Sequence, residues 1–143
     1  TSDMAINHQG INLWLEEQPT NNLLAPVTLD LNHDWPIKAV DAIYTANTLH
    51  IVSWPLVEGF FNAVSQHVNQ QGKLCIYGPF NYQGQYTSES NAGFDLWLKE
   101  RDSESAIRDI EAIIALAKNA GLLLADDHPM PANNRLLIFN KVN

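Results

Sequence analysis

The sequence predicts an α/β fold in which one mostly parallel sheet carries helices on its faces. Three observations predict it. Short β-rich apolar runs alternate with amphipathic segments of helical period, and most connections between the runs are long enough for a crossover helix. The last two runs are joined without a helix, which makes them an antiparallel pair at one sheet edge.

Ile11, Trp14 and Leu15 fall at i, i+3 and i+4, so residues 3–17 read as a helix capped by Ser2 or Asp3 and ended by Pro19. Residues 27–31 and 39–46 read as buried strands, the second bulked by Val40, Ile43 and Tyr44. A helix follows Ser53, with Pro55 near its first position and Val57, Phe60, Phe61, Val64 and Val68 tracing one face; Gly72 follows its end. Residues 73–77 form an apolar strand closed by Gly78 and Pro79, which open a polar loop running to Thr87. Ser88 can cap a helix whose apolar side is Phe94, Trp97 and Leu98. The next helix carries Ile110, Ile113, Ile114 and Ala117, with Asp109 as its cap and Gly121 as its stop. Residues 122–125 and 136–140 are the last two strands, joined by a polar, proline-containing turn over 126–134.

With 143 residues and 45 % hydrophobic content, the chain suits one domain, which at this size buries roughly 68–70 % of its unfolded surface. The net charge of −8 and only eight Lys and Arg disfavour a nucleic-acid partner, because such binding depends on neutralising phosphates. The single cysteine, Cys75, excludes an internal disulfide framework and reads as a buried small hydrophobe of a reducing compartment. No secretory or membrane-length apolar run is present, so neither a membrane partner nor a leader is expected and the cytoplasm is the expected location. The sequence opens on Thr1 with no lead-in strand. Truncation or processing is the expected reason, with a tag remnant before a natural start as the alternative.

Ligands of open parallel sheets collect beyond the carboxyl ends of the strands. Asp30, Asn47 to His50, and Gly78 to Tyr82 occupy those positions. A carboxylate at Asp30 can accept from an exocyclic amine such as that of adenine, or serve only as a turn residue. Asn47 supplies an amide and His50 a titratable ring to the same rim, although a lone histidine is more often structural. The seven glycines stand apart, so there is no G-x-G-x-x-G and no phosphate-cradling lysine loop. There is also no G-x-S-x-G elbow, and Cys75 sits mid-strand, which argues against covalent catalysis. The five histidines show no metal-ligand spacing, and His33 with Asp34 and Asp127 with His128 read as solvated turns, so no metal is expected.

Residues 41–54, DAIYTANTLHIVSW, look like the fourth-strand motif of class I methyltransferases. With IYGPF at 76–80, SESNAGFD at 88–95, IRD at 107–109 and MPANN at 130–134, the chain resembles the methyltransferase-like 26 family, whose function is unknown. The resemblance covers nearly the whole chain. It implies a three-layer Rossmann-like class I methyltransferase sheet with a C-terminal antiparallel hairpin, and S-adenosylmethionine as cofactor. On that basis Asp30 and Leu31 border the adenine and Asn47 lies near the reactive sulfonium end. His50, Tyr77, Phe80, Ser88, Asn91, Asp95, Asn133 and Asn134 become substrate-side candidates.

Family members also carry a first strand, its glycine-rich turn and a second strand ending in an acid that holds ribose. This sequence is expected to start after all three, so residues 1–143 read as one N-terminally truncated domain with weak or absent cofactor binding. The implied function is a methyltransferase-like protein whose acceptor is a small molecule or a protein. A noncatalytic module that keeps the fold is the alternative. A nicotinamide-dependent reductase is disfavoured because no tyrosine has Lys four positions later. Loss of the first two strands would open the sheet between residues 27–31 and 39–46, and a homodimer through the exposed edges is the expected consequence.

Overall fold

The computed structural model describes residues 1–142; Asn143, the last residue of the expected domain, lies outside them. The chain divides into two compact units, Thr1–Lys38 and Ala39 onward.

In the first unit, β1 (Ser2–Asp3) pairs in parallel with β2 (Val27–Thr28), Ser2 opposite Val27 and Asp3 opposite Thr28. The expected helix over 3–17 therefore begins later. Asp3 is in strand, its Oδ1 accepts from Met4 N at 2.6 Å and Asn7 Nδ2 at 2.9 Å, a 3₁₀ turn covers Ala5–Asn7, and α1 runs over His8–Glu17. Ile11 and Leu15 are half-buried, but Trp14 is 72 % exposed rather than packed inward. The strand expected over 27–31 stops at Thr28 and is exposed. Beyond it the Asp30 carboxylate accepts from Asn32 N at 2.9 Å and its carbonyl from His33 N at 3.1 Å, so a local turn takes the backbone away from the ladder.

The second unit holds β3 (Val40–Ala46), α2 (Trp54–His67), β4 (Val68–Gly78), β5 (Phe80–Asn81), α3 (Glu89–Arg101), β6 (Arg108–Asp109), α4 (Ile110–Asn119), β7 (Leu122–Met130) and β8 (Asn134–Lys141). Its described strands form a sheet of order β3-β4-β8-β7, with β3 parallel to β4 and β8 antiparallel to both neighbours; β5 and β6 pair separately, in parallel. The closing pair is the antiparallel hairpin that the sequence predicts. Leu74 faces Phe139 and Ile76 faces Leu137 across β4 and β8, and all four are fully buried. Over that face pack α2, through Val57, Phe60, Phe61 and Val64, and α4, through Ile110, Ile113 and Ala117. Each such large side chain contributes about 1.5–3 kcal/mol on leaving water, so this layer positions everything at the sheet's carboxyl rim.

Several boundaries move for local reasons. The strand expected over 73–77 extends back to Val68, which pairs with Val40 before the chain bulges and resumes pairing at Lys73. Gly72 is required in that bulge, because a Cβ there would lie 2.8 Å from both Asn69 O and Asp41 O. Cys75 on this strand is half-buried. The polar turn expected over 126–134 is mostly strand: Arg135 Nε bonds Asp127 Oδ1 at 2.7 Å, and Tyr82 donates to Asp127 Oδ2 at 2.7 Å. These side-chain anchors hold polar residues in β7, and the turn shrinks to Pro131–Asn133. Ser88 caps α3, accepting from Asn91 N at 3.1 Å, whereas Asp109 precedes α4 without a side-chain cap bond. Among the described residues no helix is long and apolar enough to cross a membrane.

Candidate functional site

A cleft of ≈ 510 Å³ opens in the second unit beside the carboxyl ends of β3 and β4. Four segments line it. The loop after β3 brings Asn47 and His50, the end of β4 brings Pro79, the first turns of α3 bring Ser90, Asn91 and Phe94, and the β7–β8 turn brings Ala132, Asn133 and Asn134.

The loop after β3 is fixed by its backbone. Asn47 takes a left-handed φ of 54° and donates its N–H to Tyr77 O at 2.9 Å. Four successive carbonyls are then taken by one distant segment: Leu49 O and Val52 O by the Arg108 guanidinium at 3.0 and 2.7 Å, His50 O by Ala106 N at 3.0 Å, and Ile51 O by the Ser105 hydroxyl. The His50 ring is thereby set against Gly78, where a Cβ would meet its Nδ1 at 3.5 Å. Phe94 meets the ring edge-on, with centroids 5.5 Å apart, and itself stacks on Trp97 at 5.7 Å.

The opposite wall is a clasp between α3 and the hairpin tip. Asn91 Nδ2 spends both donors, on Thr87 Oγ1 at 2.9 Å and Asn133 O at 3.2 Å. Asn133 Nδ2 returns a bond to Ser90 Oγ at 3.0 Å, and Asn134 Nδ2 donates to Pro131 O at 3.2 Å. Ala132 and Asn133 at the tip both have left-handed φ, 57° and 58°.

His50 is only 5 % exposed. Burial, with the Arg108 charge second, pushes its pKa down to about 4, so the imidazole is neutral at pH 7. Among the described residues neither ring nitrogen has a hydrogen-bond partner, and neither is sealed from solvent. A neutral imidazole so placed can accept a hydrogen bond or a proton from a molecule in the cleft.

Of the residues singled out in the sequence, Asn47, His50, Asn91, Asn133 and Asn134 come together on this cleft. Four others do not line it. Phe80 is core, Ser88 caps α3, the Tyr77 carbonyl holds the Asn47 loop, and Asp95 is 1 % exposed within its own bonds to Tyr86, Lys99 and Ile107. In the first unit, Asp30 Oδ1 accepts from Asn32 and Oδ2 faces His33 Nδ1 at 3.3 Å; these contacts hold its carboxyl below the ordinary value. Leu31 beside it is half-buried. Pro79 falls within the rim stretch Gly78 to Tyr82 singled out in the sequence, whereas sequence reasoning missed Ser90, Phe94 and Ala132 as lining residues. Phe94 was within reach, since it lies three residues beyond Asn91 and shares its helix face. Arg108 carried no local signal, because its partners lie more than fifty positions away.

A parallel pair closed by an antiparallel hairpin, with a cleft at the carboxyl rim, is consistent with the class I methyltransferase fold. Solved structures agree. The O-methyltransferase family 2 protein from Planctomyces limnophilus in complex with apigenin superposes with a TM-score of 0.87 at 20 % identity, over 99 % of this chain and 42 % of that one. An O-methyltransferase family protein from Burkholderia thailandensis gives 0.86 at 14 %, over 99 % and 43 %, and PigF with SAH gives 0.80 at 14 %, over 99 % and 47 %. At these identities the likeness is one of fold, and the chain spans less than half the length of those structures. The chain belongs to the DUF938 family of proteins of unknown function, which it matches over residues 1–141.

Proposed function

We propose that this chain is a methyltransferase-like domain, of the methyltransferase-like 26 type, that serves S-adenosylmethionine-dependent methyl transfer to a hydroxyl of a small molecule. The observation that carries the reading is His50: a buried, neutral imidazole whose nitrogens have no hydrogen-bond partner among the described residues, on a cleft at the carboxyl rim. The fold neighbours include an O-methyltransferase family 2 protein complexed with apigenin and PigF with SAH, which supports the reading.

The residues present fit the cofactor in part. Asn47 lines the cleft with an amide that has no partner among the described residues, which suits the reactive end. Asp30 and Leu31 remain the adenine-side candidates, although Asp30 already holds Asn32 and His33. Bound S-adenosylmethionine supplies an electrophilic methyl group. His50 orients the acceptor hydroxyl and takes its proton at a ring nitrogen. The low basicity of His50 is no obstacle, because an oxygen that gains carbon while keeping its proton is a far stronger acid than imidazolium. Holding that oxygen in line is the other contribution of the cleft walls.

None of the seven glycines forms a G-x-G-x-x-G turn, so this chain should show no saturable S-adenosylmethionine binding at micromolar concentration in calorimetry. Transfer is therefore assayed with radiolabelled cofactor at millimolar concentration and a phenol as acceptor. Labelled methyl ether is expected, falling about a hundredfold in His50→Gln, the low end of a general-base contribution. No labelled product from the native chain overturns the reading and leaves a noncatalytic module that keeps the fold.

A further inference from the structure

Gly78 is buried at the end of β4, opposite Arg135 of β8. The usual reasons for glycine in a buried strand do not apply to it. Its φ is not left-handed, unlike that of Gly84 or Gly121. Pairing with β8 runs unbroken from Lys73 to Gly78, so it marks no bulge on that side. The fold does not crowd it either. A Cβ at Gly72 would lie 2.8 Å from two backbone oxygens, whereas a Cβ at Gly78 would stand 3.5 Å from His50 Nδ1, 3.7 Å from His50 Cε1 and 4.0 Å from Asn47 Oδ1, all ordinary van der Waals separations. Alanine would therefore fit, and would restrict the unfolded chain, so glycine here forgoes stability that the fold allows. A strand glycine that neither conformation nor packing requires points to the remaining reason, close approach by a ligand.

The surroundings of Gly78 agree. The atoms nearest that Cβ position belong to Asn47 and His50, two residues that line the cleft and whose side-chain polar atoms have no hydrogen-bond partner among the described residues. Both are held in place by backbone: Asn47 by its N–H on Tyr77 O, and the His50 loop by the Arg108, Ala106 and Ser105 bonds to its carbonyls. A ligand oxygen over Gly78 needs to lie only several tenths of an ångström nearer the ring than a Cβ would, to come within about 2.7–3.2 Å of Nδ1.

We infer that Gly78 is a specificity-determining residue of the cleft: the Cβ-sized space over it, between the His50 ring and the Asn47 amide, seats the hydroxyl oxygen of the ligand. The inference rests on the reading of the cleft as a site for a hydroxyl acceptor and locates the reacting oxygen within it. A hydroxyl suits the place whichever tautomer His50 holds and whichever way the Asn47 amide is turned, because it both donates and accepts.

The test compares the native chain with Gly78→Ala and with Gly59→Ala, a control on α2 where a Cβ meets nothing within 4 Å. Phenol is titrated against each by NMR, read on the ligand and on the His50 ring resonances, and the urea midpoint of each is recorded. Phenol should shift the His50 resonances of the native chain. Gly78→Ala should keep or raise the urea midpoint yet bind phenol at least about tenfold more weakly, the low end of what one methyl group decides in a pocket. Gly59→Ala should bind phenol as the native chain does. Equal phenol affinity in Gly78→Ala overturns the inference, as does equal weakening in both variants or the absence of a phenol shift at His50. A lower midpoint in Gly78→Ala overturns it as well, since the strand itself would then exclude the methyl group. Phenol binding that is lost in Gly78→Ala, without label transfer by the native chain, would sink the methyl-transfer reading alone; label transfer undiminished in Gly78→Ala would sink only this one.

Discussion

Asp95 Oδ1 accepts the backbone N–H of Ile107 at 2.7 Å and so ties α3 to the segment that enters β6. Its Oδ2 is shared by Tyr86 Oη at 2.7 Å and Lys99 Nζ at 2.6 Å. Burial acts to raise this carboxyl's pKa, but Lys99, Tyr86 and the Ile107 N–H together outweigh it and hold the group below its ordinary value. The same segment grips the four carbonyls around His50, so Asp95 supports the cleft from behind. Asp95→Asn, which turns one acceptor oxygen into a donor facing donors, should cost about 1–3 kcal/mol. Urea unfolding at pH 7 measures it; an unchanged midpoint at unchanged slope would show that the carboxylate is dispensable.

Ala132 sits at the hairpin tip with φ 57° and ψ 37°. An L side chain in the left-handed region costs roughly 1–2 kcal/mol, and glycine removes that cost while adding freedom to the unfolded chain. Ala132→Gly should therefore stabilise the chain by up to about 1 kcal/mol. Thermal and urea unfolding read the effect. A loss of stability would mean that the Ala132 methyl packs in the cleft wall strongly enough to offset its backbone conformation.

His50 makes stability pH-dependent in a defined window. Its folded pKa of about 4 lies below the ordinary 6.5 because burial, then Arg108, penalise the charged form. Between those values the unfolded chain binds a proton that the folded chain refuses, so stability falls as pH drops from 6.5 towards 4 and is fully present above 6.5. The effect is roughly 3 kcal/mol at most. The urea midpoint should fall further between pH 7.5 and 4.5 in wild type than in His50→Gln. Equal losses in the two proteins would place the titrating group elsewhere.

What was legible in the sequence followed from periodicity and punctuation. The apolar face of α2, the cap at Ser88 and the helix-free join of the last two strands were all local patterns, and each appears where expected. Boundaries failed where a side chain far along the chain decides the backbone. Arg135 and Tyr82 hold Asp127 in β7, where composition alone reads as turn. Asp3 looked like a helix cap because Asp commonly is one, but its backbone lies opposite Thr28 and its carbonyl accepts from Leu29 N at 3.0 Å, far along the chain. In the cleft, Asn91 and Asn133 were visible as candidates, whereas their bond to one another was not, since 42 positions separate them.

The last prediction concerns the two edges of the sheet in the second unit. At one edge β7 carries Asp126, Asp127 and Pro129, with a register shift after Leu124, all of which discourage pairing with a further strand. At the other edge β3 pairs only with β4 among the described residues, and it has one charged residue, Asp41, no proline and an exposed Tyr44. Unpaired N–H and C=O groups on such a strand are a template for a second copy, and a twofold pairing of β3 with β3 would close both edges at once. The chain should therefore run as a dimer in light scattering at tens of micromolar and dissociate on dilution. Tyr44→Lys, which places a charge on the exposed face of the edge strand, should shift the equilibrium to monomer without moving the urea midpoint of the dilute protein. A native chain that stays monomeric across the dilution series would show that the edge of β3 is covered within the chain itself.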